Sequence, residues 1–197
     1  EKDEWLGLDR SKAILFDRYY KSSQEAGPAS YAWLMYDDSY MYVGIEHGPD
    51  PWKESMALTL KDLTANWAST EVAVEGRVES DTKSWWLPDM DTGPIFIFTG
   101  FANGNLKVHD SYFKLPDDLR KFLEEKTEYK AVITDLAAYQ WTAEFKIPLS
   151  AMGIVPGDIR NTRFNIGVTR RSDWVGWMYT GGKIWRLEEG GRINFIK

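Results

Sequence analysis

The stretch PIFIFTGFANGNLKVHDSYF, residues 94–113, decides the fold class. Asn103-Gly104 separates two apolar runs and predicts a two-residue type I′ hairpin turn, in which both central residues take positive φ. Ile95, Phe96, Ile97 and Phe98 are apolar at consecutive positions, which predicts a central strand covered on both faces. Outward from this hairpin the same period-two pattern recurs. AWLMYDDSYMYVGIE (32–46) reads as two aromatic-rich strands turning at Asp37, Asp38 and Ser39. EVAVEGRV (71–78) sends Val72, Val74 and Val78 to one side and Glu71, Glu75 and Arg77 to the other. QWTAEFKIPLSAMGI (140–154) points Trp141, Ala143, Phe145 and Ile147 inward, with Gln140, Thr142, Glu144 and Lys146 outward.

One helix is expected, in LPDDLRKFLEEKTEYK (115–130). Pro116 and two aspartates open its first turn, and Leu119, Phe122 and Leu123 form a short apolar stripe. RFNIGVTRR (163–171), DWVGWMYT (173–180), KIWRLEE (183–189) and RINFI (192–196) then read as short strands, broken at Gly181-Gly182 and Gly190-Gly191. There is no internal repeat and no low-complexity linker. The expectation is one all-β domain over residues 1–197, an antiparallel β-sandwich of jelly-roll or immunoglobulin-like type with one short inserted helix.

Bulk composition narrows the function. With 43% apolar residues the chain can build a sizeable core, and no run approaches the ~18 apolar residues of a membrane span. A net charge of −6, with both signs interspersed, argues against nucleic acid, whose phosphates call for a basic face. Having no cysteine, the chain has no disulfide framework, thiol catalysis or thiolate metal site. The absence of cysteine leaves the compartment open, and the start at the charged EKDEWLGL reads as an excised domain or mature fragment.

Ten tryptophans in 197 residues are the main functional clue. Strand alternation assigns about half of them, Trp141 among them, to the core. Trp67, Trp174, Trp177 and Trp185 instead sit in loops or at strand ends, where flat indole faces suit sugar rings. Catalytic chemistry is sparse. The two histidines, His47 and His109, lack zinc-type spacing, and no nucleophile elbow, phosphate loop or dinucleotide fingerprint is present. The adjacent acid pairs belong to turns and a helix start, not to carboxylates opposed at ~5–9 Å across a glycoside. No enzyme is expected.

Several segments, in order along nearly the whole chain, resemble the family 9 carbohydrate-binding modules. They are DEWLGL, YDDSYMYVGIE, NWASTEVAVEG, WTAEFKIPLSAMGI with FNIGVTRR, and SDWVGWMYTGGKIWRLEEGGRINF. The chain departs from the family's pattern in three places. The opening Asp-Gly is missing, Ala68 stands where the family has an aspartate, and SWWLPDMDTG (84–93) is inserted.

The resemblance implies a β-sandwich that holds a sugar between two tryptophans while polar side chains read its hydroxyls. Trp67 matches the first aromatic, and Trp174 or Trp177 the second. Those two lie three residues apart, so on one strand they face opposite sides, one into the core and one outward. Glu71 is then a hydroxyl acceptor, with Arg77, Gln140 and Arg171 as further polar partners. Trp85 and Trp86 of the insertion form either an added platform or a flap over the cleft. Structural calcium is common in the family, and the hard oxygens of Asp37 and Asp38, or of Asp89 and Asp91, suit it.

The expected function is a non-catalytic, secreted or surface module that binds a polysaccharide or oligosaccharide, as an accessory domain of a polysaccharide-degrading protein. Two alternatives stand beside it. One is a structural or interaction sandwich that has lost its sugar site. The other is a b-type haem domain for electron transfer, with a Met and a His or Lys as axial ligands.

Overall fold

The computed structural model describes residues 5, 8–19, 22, 25–49, 68–78, 93–110, 115–158, 160–170, 173–181 and 183–196. Their alternation becomes eleven antiparallel strands: β1 Ile14–Tyr19, β2 Glu25–Tyr36, β3 Tyr40–Glu46, β4 Ser69–Glu75, β5 Ile95–Phe101, β6 Leu106–Asp110, β7 Glu128–Asp135, β8 Gln140–Pro148, β9 Thr162–Arg170, β10 Asp173–Gly176 and β11 Gly191–Ile193. The hydrogen-bonded path runs β6-β5-β4-β9-β10-β1-β2-β3-β8-β7, with β11 added against β9. It curls on itself as a nearly closed sandwich, so one core serves both halves. Val72, Val74, Phe96, Phe98, Phe164 and Ile166 of the first half share that core with Met41, Val43, Ile45, Phe145 and Ile147 of the second. The two ends of the path approach each other where the Tyr129 hydroxyl donates to the Phe101 carbonyl at 2.9 Å.

Local rules explain most of the elements. Asp37 sets the β2–β3 turn by accepting from the backbone N–H groups of Ser39 and Tyr40 at 2.7 and 2.8 Å. On β8, Trp141, Ala143, Phe145 and Ile147 are all buried, as the alternation predicts. The helix forms over Asp117–Lys126 (α1), with Pro116 at its N-cap and Leu123 buried. Phe122 departs from the expected stripe and is 41% exposed, because Leu123 and the half-buried Leu119 already complete one i, i+4 face.

Two other expectations are corrected. The turn after β5 is not type I′. Gly104 has φ +88°, but among the described residues only Tyr139 is a non-glycine with positive φ, so Asn103 stays on the ordinary side. The Gly104 N–H donates to the Phe101 carbonyl and the Phe101 N–H to the Asn105 carbonyl, both at 2.9 Å. This is a type I turn closed by a left-handed glycine, the three-residue hairpin solution, and Asn103 favours it by accepting from the Asn105 N–H at 3.0 Å.

KIWRLEE, expected as a strand, contains instead a 3-10 turn at Leu187–Glu189. Its backbone bonds go elsewhere. The Ile184 carbonyl accepts from the Asn165 amide at 2.9 Å, and the Lys183 carbonyl from the Thr180 hydroxyl at 2.7 Å. The segment therefore lies against the outer face of the sheet, where Leu187 joins Ala73, Ile95 and Ile97 in a second apolar cluster flanked by Trp185. That cluster is what covers the second side of β5, a strand one place in from the edge of the path.

Candidate functional site

Antiparallel register decides which side chains share the outer face of the first half. Thr99 pairs with Lys107, Glu71 with Thr99 and Gly167, and Gly176 with Gly167. One row thus runs Lys107, Thr99, Glu71, Gly167, Gly176 across β6, β5, β4, β9 and β10, because directly paired residues project to one side. In the adjoining row Trp174 pairs with Thr169, whose hydroxyl lies 2.5 Å from that of Ser69. A Cβ on either Gly167 or Gly176 would run into the Ile184 side chain, so Ile184 packs directly on the two bare positions. The groups of this face that reach the surface include Trp174, Glu71 and His109, all half-buried, and Lys107 and Lys183, both exposed.

Glu71 is the electrostatic centre. Burial pushes its carboxyl up to about 7, against smaller opposing pulls from the Thr99 hydroxyl and from Lys183. The Thr99 hydroxyl donates to Glu71 at 3.4 Å and lies 2.6 Å from Nε2 of His109. A hydroxyl has one proton. Directed at Glu71, it leaves Thr99 to accept from the His109 ring N–H, so a chain of donors runs from His109 through Thr99 to the carboxyl. Near neutrality Glu71 therefore exists in both forms, able to accept from a hydroxyl or to donate to an acceptor.

The other expected site residues are dispersed. Trp177 turns to the core side, packs against Phe164 at 6.0 Å between ring centroids, and covers Gly191 where a Cβ would collide with it. Trp174 and Trp177 thus take opposite sides, with Trp174 on the Glu71 face. Arg77 lies beyond the far end of β4 with its side chain 10% exposed, paired with Asp158 at 2.9 Å. It also donates to the Arg160 carbonyl and the Thr162 hydroxyl at 2.6 and 3.0 Å. Gln140 sits in the other half of the path, at the start of β8 opposite Asp135. Neither is brought to Glu71. Trp67, Trp85, Trp86 and Arg171 lie outside the described residues.

Of the two aspartates expected to suit calcium, Asp37 is engaged within its own turn. Asp37 commits one oxygen to two backbone N–H groups and the other to the Tyr42 hydroxyl at 2.7 Å. Among the described residues no group of three or more His, Cys, Asp or Glu gathers in a way that suits a metal. Asp89 and Asp91 lie outside those residues. Both histidines named for the haem alternative are engaged within the fold. His47 is buried with its ring stacked on Trp141 at 3.9 Å, and His109 is engaged with Thr99.

Thr99, His109, Lys107 and Lys183 were not singled out as site residues by sequence reasoning. The alternation of IFIFT and LKVHD places Thr99, Lys107 and His109 on one face once the hairpin register is known. Lys183 belongs to a segment misread as a strand, so no signal assigned it to this face.

Solved structures share this architecture. A family 9 carbohydrate-binding module from Caldicellulosiruptor kristjanssonii, in complex with cellotriose, matches at 17% identity over 92% of this chain and 80% of its own, with a TM-score of 0.55. The same kind of module from that organism, in complex with glucose, matches at 16% identity over 91% and 82%, also with a TM-score of 0.55. A candidate carbohydrate-binding protein from Bacteroides uniformis matches at 9% identity over 90% and 83%, with a TM-score of 0.57. No family model matches the sequence, and no curated protein matches it. The chain therefore resembles the family 9 carbohydrate-binding modules and has their β-sandwich fold. No helix among the described residues is long and apolar enough to cross a membrane.

Proposed function

We propose that this is a non-catalytic carbohydrate-binding domain whose ligand lies on the outer face carrying Trp174 and Glu71. The observation that carries the proposal is their placement on one face of this fold, an indole near the start of β10 and, from two strands away, a polar chain running from Glu71 to His109. A pyranose ring packs its C–H groups on the indole while its hydroxyls meet Glu71, which both accepts and donates near neutrality. Trp67, two positions before β4, is the second aromatic wall in this reading. An accessory role in an exported or surface-attached polysaccharide-degrading protein follows naturally, since tethering raises the effective concentration of a modest binder.

Titration of tryptophan fluorescence with soluble oligosaccharides tests the proposal. A saturable change is expected with one sugar class, and Trp174→Ala should abolish it while leaving the circular dichroism spectrum intact. Silence across a broad panel of glycans from folded protein would sink the proposal in favour of a structural sandwich.

A further inference from the structure

The two oxygens of Glu71 have different surroundings. Oε1 receives the buried Thr99 hydroxyl at 3.4 Å, and that hydroxyl lies 2.6 Å from Nε2 of His109. Oε2 makes no hydrogen bond to a described residue, and Glu71 is only half-buried, so Oε2 is the oxygen left for a ligand. The described charged groups on the elements packed around it are few. β5 brings none, β6 brings Lys107 and His109, and Arg163 of β9 faces Glu75 at 3.9 Å. Lys183 precedes the Leu187 turn, whose Glu188 and Glu189 lie on the Ala73 side. Of these charges Lys183 alone pulls on Glu71, favouring the carboxylate.

One hydroxyl proton makes the chain directional. While the imidazole carries both of its protons Nε2 can only donate, whatever Nδ1 meets. Thr99 then accepts from His109 and gives its own proton to Oε1. An acid proton on Glu71 is driven to Oε2, where it points at the ligand. Once that proton leaves to solvent, Oε2 becomes an acceptor, and the inner bond strengthens because its acceptor is charged. We infer that Thr99 and His109 are positioning residues that hold Oε1 of Glu71 as an acceptor, so that a single proton turns Oε2 from acceptor to donor toward the ligand; that the ligand is a sugar rests on the carbohydrate reading above. Burial, which pushes the Glu71 carboxyl up to about 7, brings this exchange near neutrality. A sugar hydroxyl can meet either form, and the carboxylate accepts from it with the stronger, charge-assisted bond.

Carboxyl NMR of the ligand-free protein, made with isotope-labelled glutamate, tests the chain, with Glu71 assigned by the signal lost in Glu71→Gln. Thr99→Val removes a hydrogen bond to the carboxylate and should raise the Glu71 midpoint by roughly half a pH unit or more. His109→Leu should raise it by a similar amount, because Thr99 loses the donor that directs its proton. His109→Gln keeps a side-chain donor and should restore most of that shift. The double variant Thr99→Val/His109→Leu should move no further than Thr99→Val alone, since both act through one hydroxyl. A midpoint unmoved by His109→Leu, or shifts that add in the double variant while circular dichroism shows a native fold, overturns the inference. In the bound state, cellotriose followed by tryptophan fluorescence should bind roughly two- to threefold tighter on the alkaline side of the midpoint, and equally on both sides in Glu71→Gln. A wild-type affinity that ignores the midpoint also overturns the inference and leaves the carbohydrate reading standing. If no sugar titrates while the midpoints shift without adding, the carbohydrate reading falls and the proton chain stands.

Discussion

The two outer faces of the sandwich carry similar raw material and use it differently. On the second half, Tyr31 and Trp33 of β2 stack at 6.4 Å, and Tyr40 and Tyr42 of β3 approach at the same distance. That face looks the richer in aromatics, yet the chain's own N-terminal segment lies on it. Trp5 lies where a Cβ on Gly44 would be, the Trp33 indole N–H reaches the Asp9 carbonyl at 3.5 Å, and Arg10 stands over the Tyr31 ring while pairing with Glu46. On the first half, the 184–189 segment covers part of the face, with Ile184 on Gly167 and Gly176 and Leu187 beside Ala73, Ile95 and Ile97. The polar chain from Glu71 to His109 and the half-buried Trp174 lie on the same face. Aromatic density alone is therefore a poor guide to a binding surface. What distinguishes the Glu71 face is a hydrogen-bonded chain of carboxyl, hydroxyl and imidazole on the same side as a half-buried ring.

Glycine substitutions should break this comparison most strongly. At Gly167 a Cβ would meet the Ile184 side chain and lie 2.8 Å from the Val175 carbonyl, so backbone as well as side chain must shift. Gly167→Val is expected to lose about 2–3 kcal/mol of stability by urea denaturation and to lose glycan binding with it. At Gly44 the group that must yield is the Trp5 ring. Gly44→Val should cost about 1 kcal/mol and leave any glycan affinity as it was. Equal effects of the two on binding would mean that the faces are not functionally distinct.

The pH dependence of stability sharpens the contrast. Glu71 has its folded midpoint raised from 4.5 to about 7 by burial. Between those values the folded state holds more proton than the unfolded one, so stability is greatest on the acid side and falls as pH rises through about 7. With the carboxyl only half-buried at its surface, the loss is about 1–3 kcal/mol, less than the full shift converts to. Glu71→Gln should flatten that slope and raise stability above the midpoint. A melting temperature that rises over this interval in the wild type, and equally in the variant, would contradict the assignment.

How far the sequence foretold this follows from what each signal depends on. Period-two alternation reports a local property, so β8 with its four inward residues, the β2–β3 turn at Asp37 and the helix at Pro116 were all legible. The polar row was not. Thr99, His109 and Glu71 meet through the register of two strand pairs, and the masking of Ile184 against Gly167 and Gly176 is tertiary throughout. KIWRLEE alternates like a strand, yet Asn165 and Thr180 take the carbonyls it would have offered a neighbour, so side-chain hydrogen bonding overrode the pattern. The opposite sides of Trp174 and Trp177 did follow from spacing. Which of them would face outward did not, because that choice is set by Phe164 and Gly191 on strands distant in sequence.

Arg10→Ala should have the smallest effect. The guanidinium stands 5.0 Å from the Tyr31 centroid and pairs with Glu46, with side chains 59% and 36% exposed. Exposed ion pairs and exposed cation–π contacts each contribute between nothing and about 1 kcal/mol, because water screens both and the long side chain loses freedom in making them. The loss should be about 0.5 kcal/mol and should shrink in high salt. Measured beside Trp33→Ala, which removes buried indole surface from the same face and should cost about 1–2 kcal/mol whatever the salt, it separates packing from charge in the N-terminal cover. A salt-independent loss of several kcal/mol from Arg10→Ala would mean that the cover is held by its charges, and that the two outer faces differ less in kind than their side chains indicate.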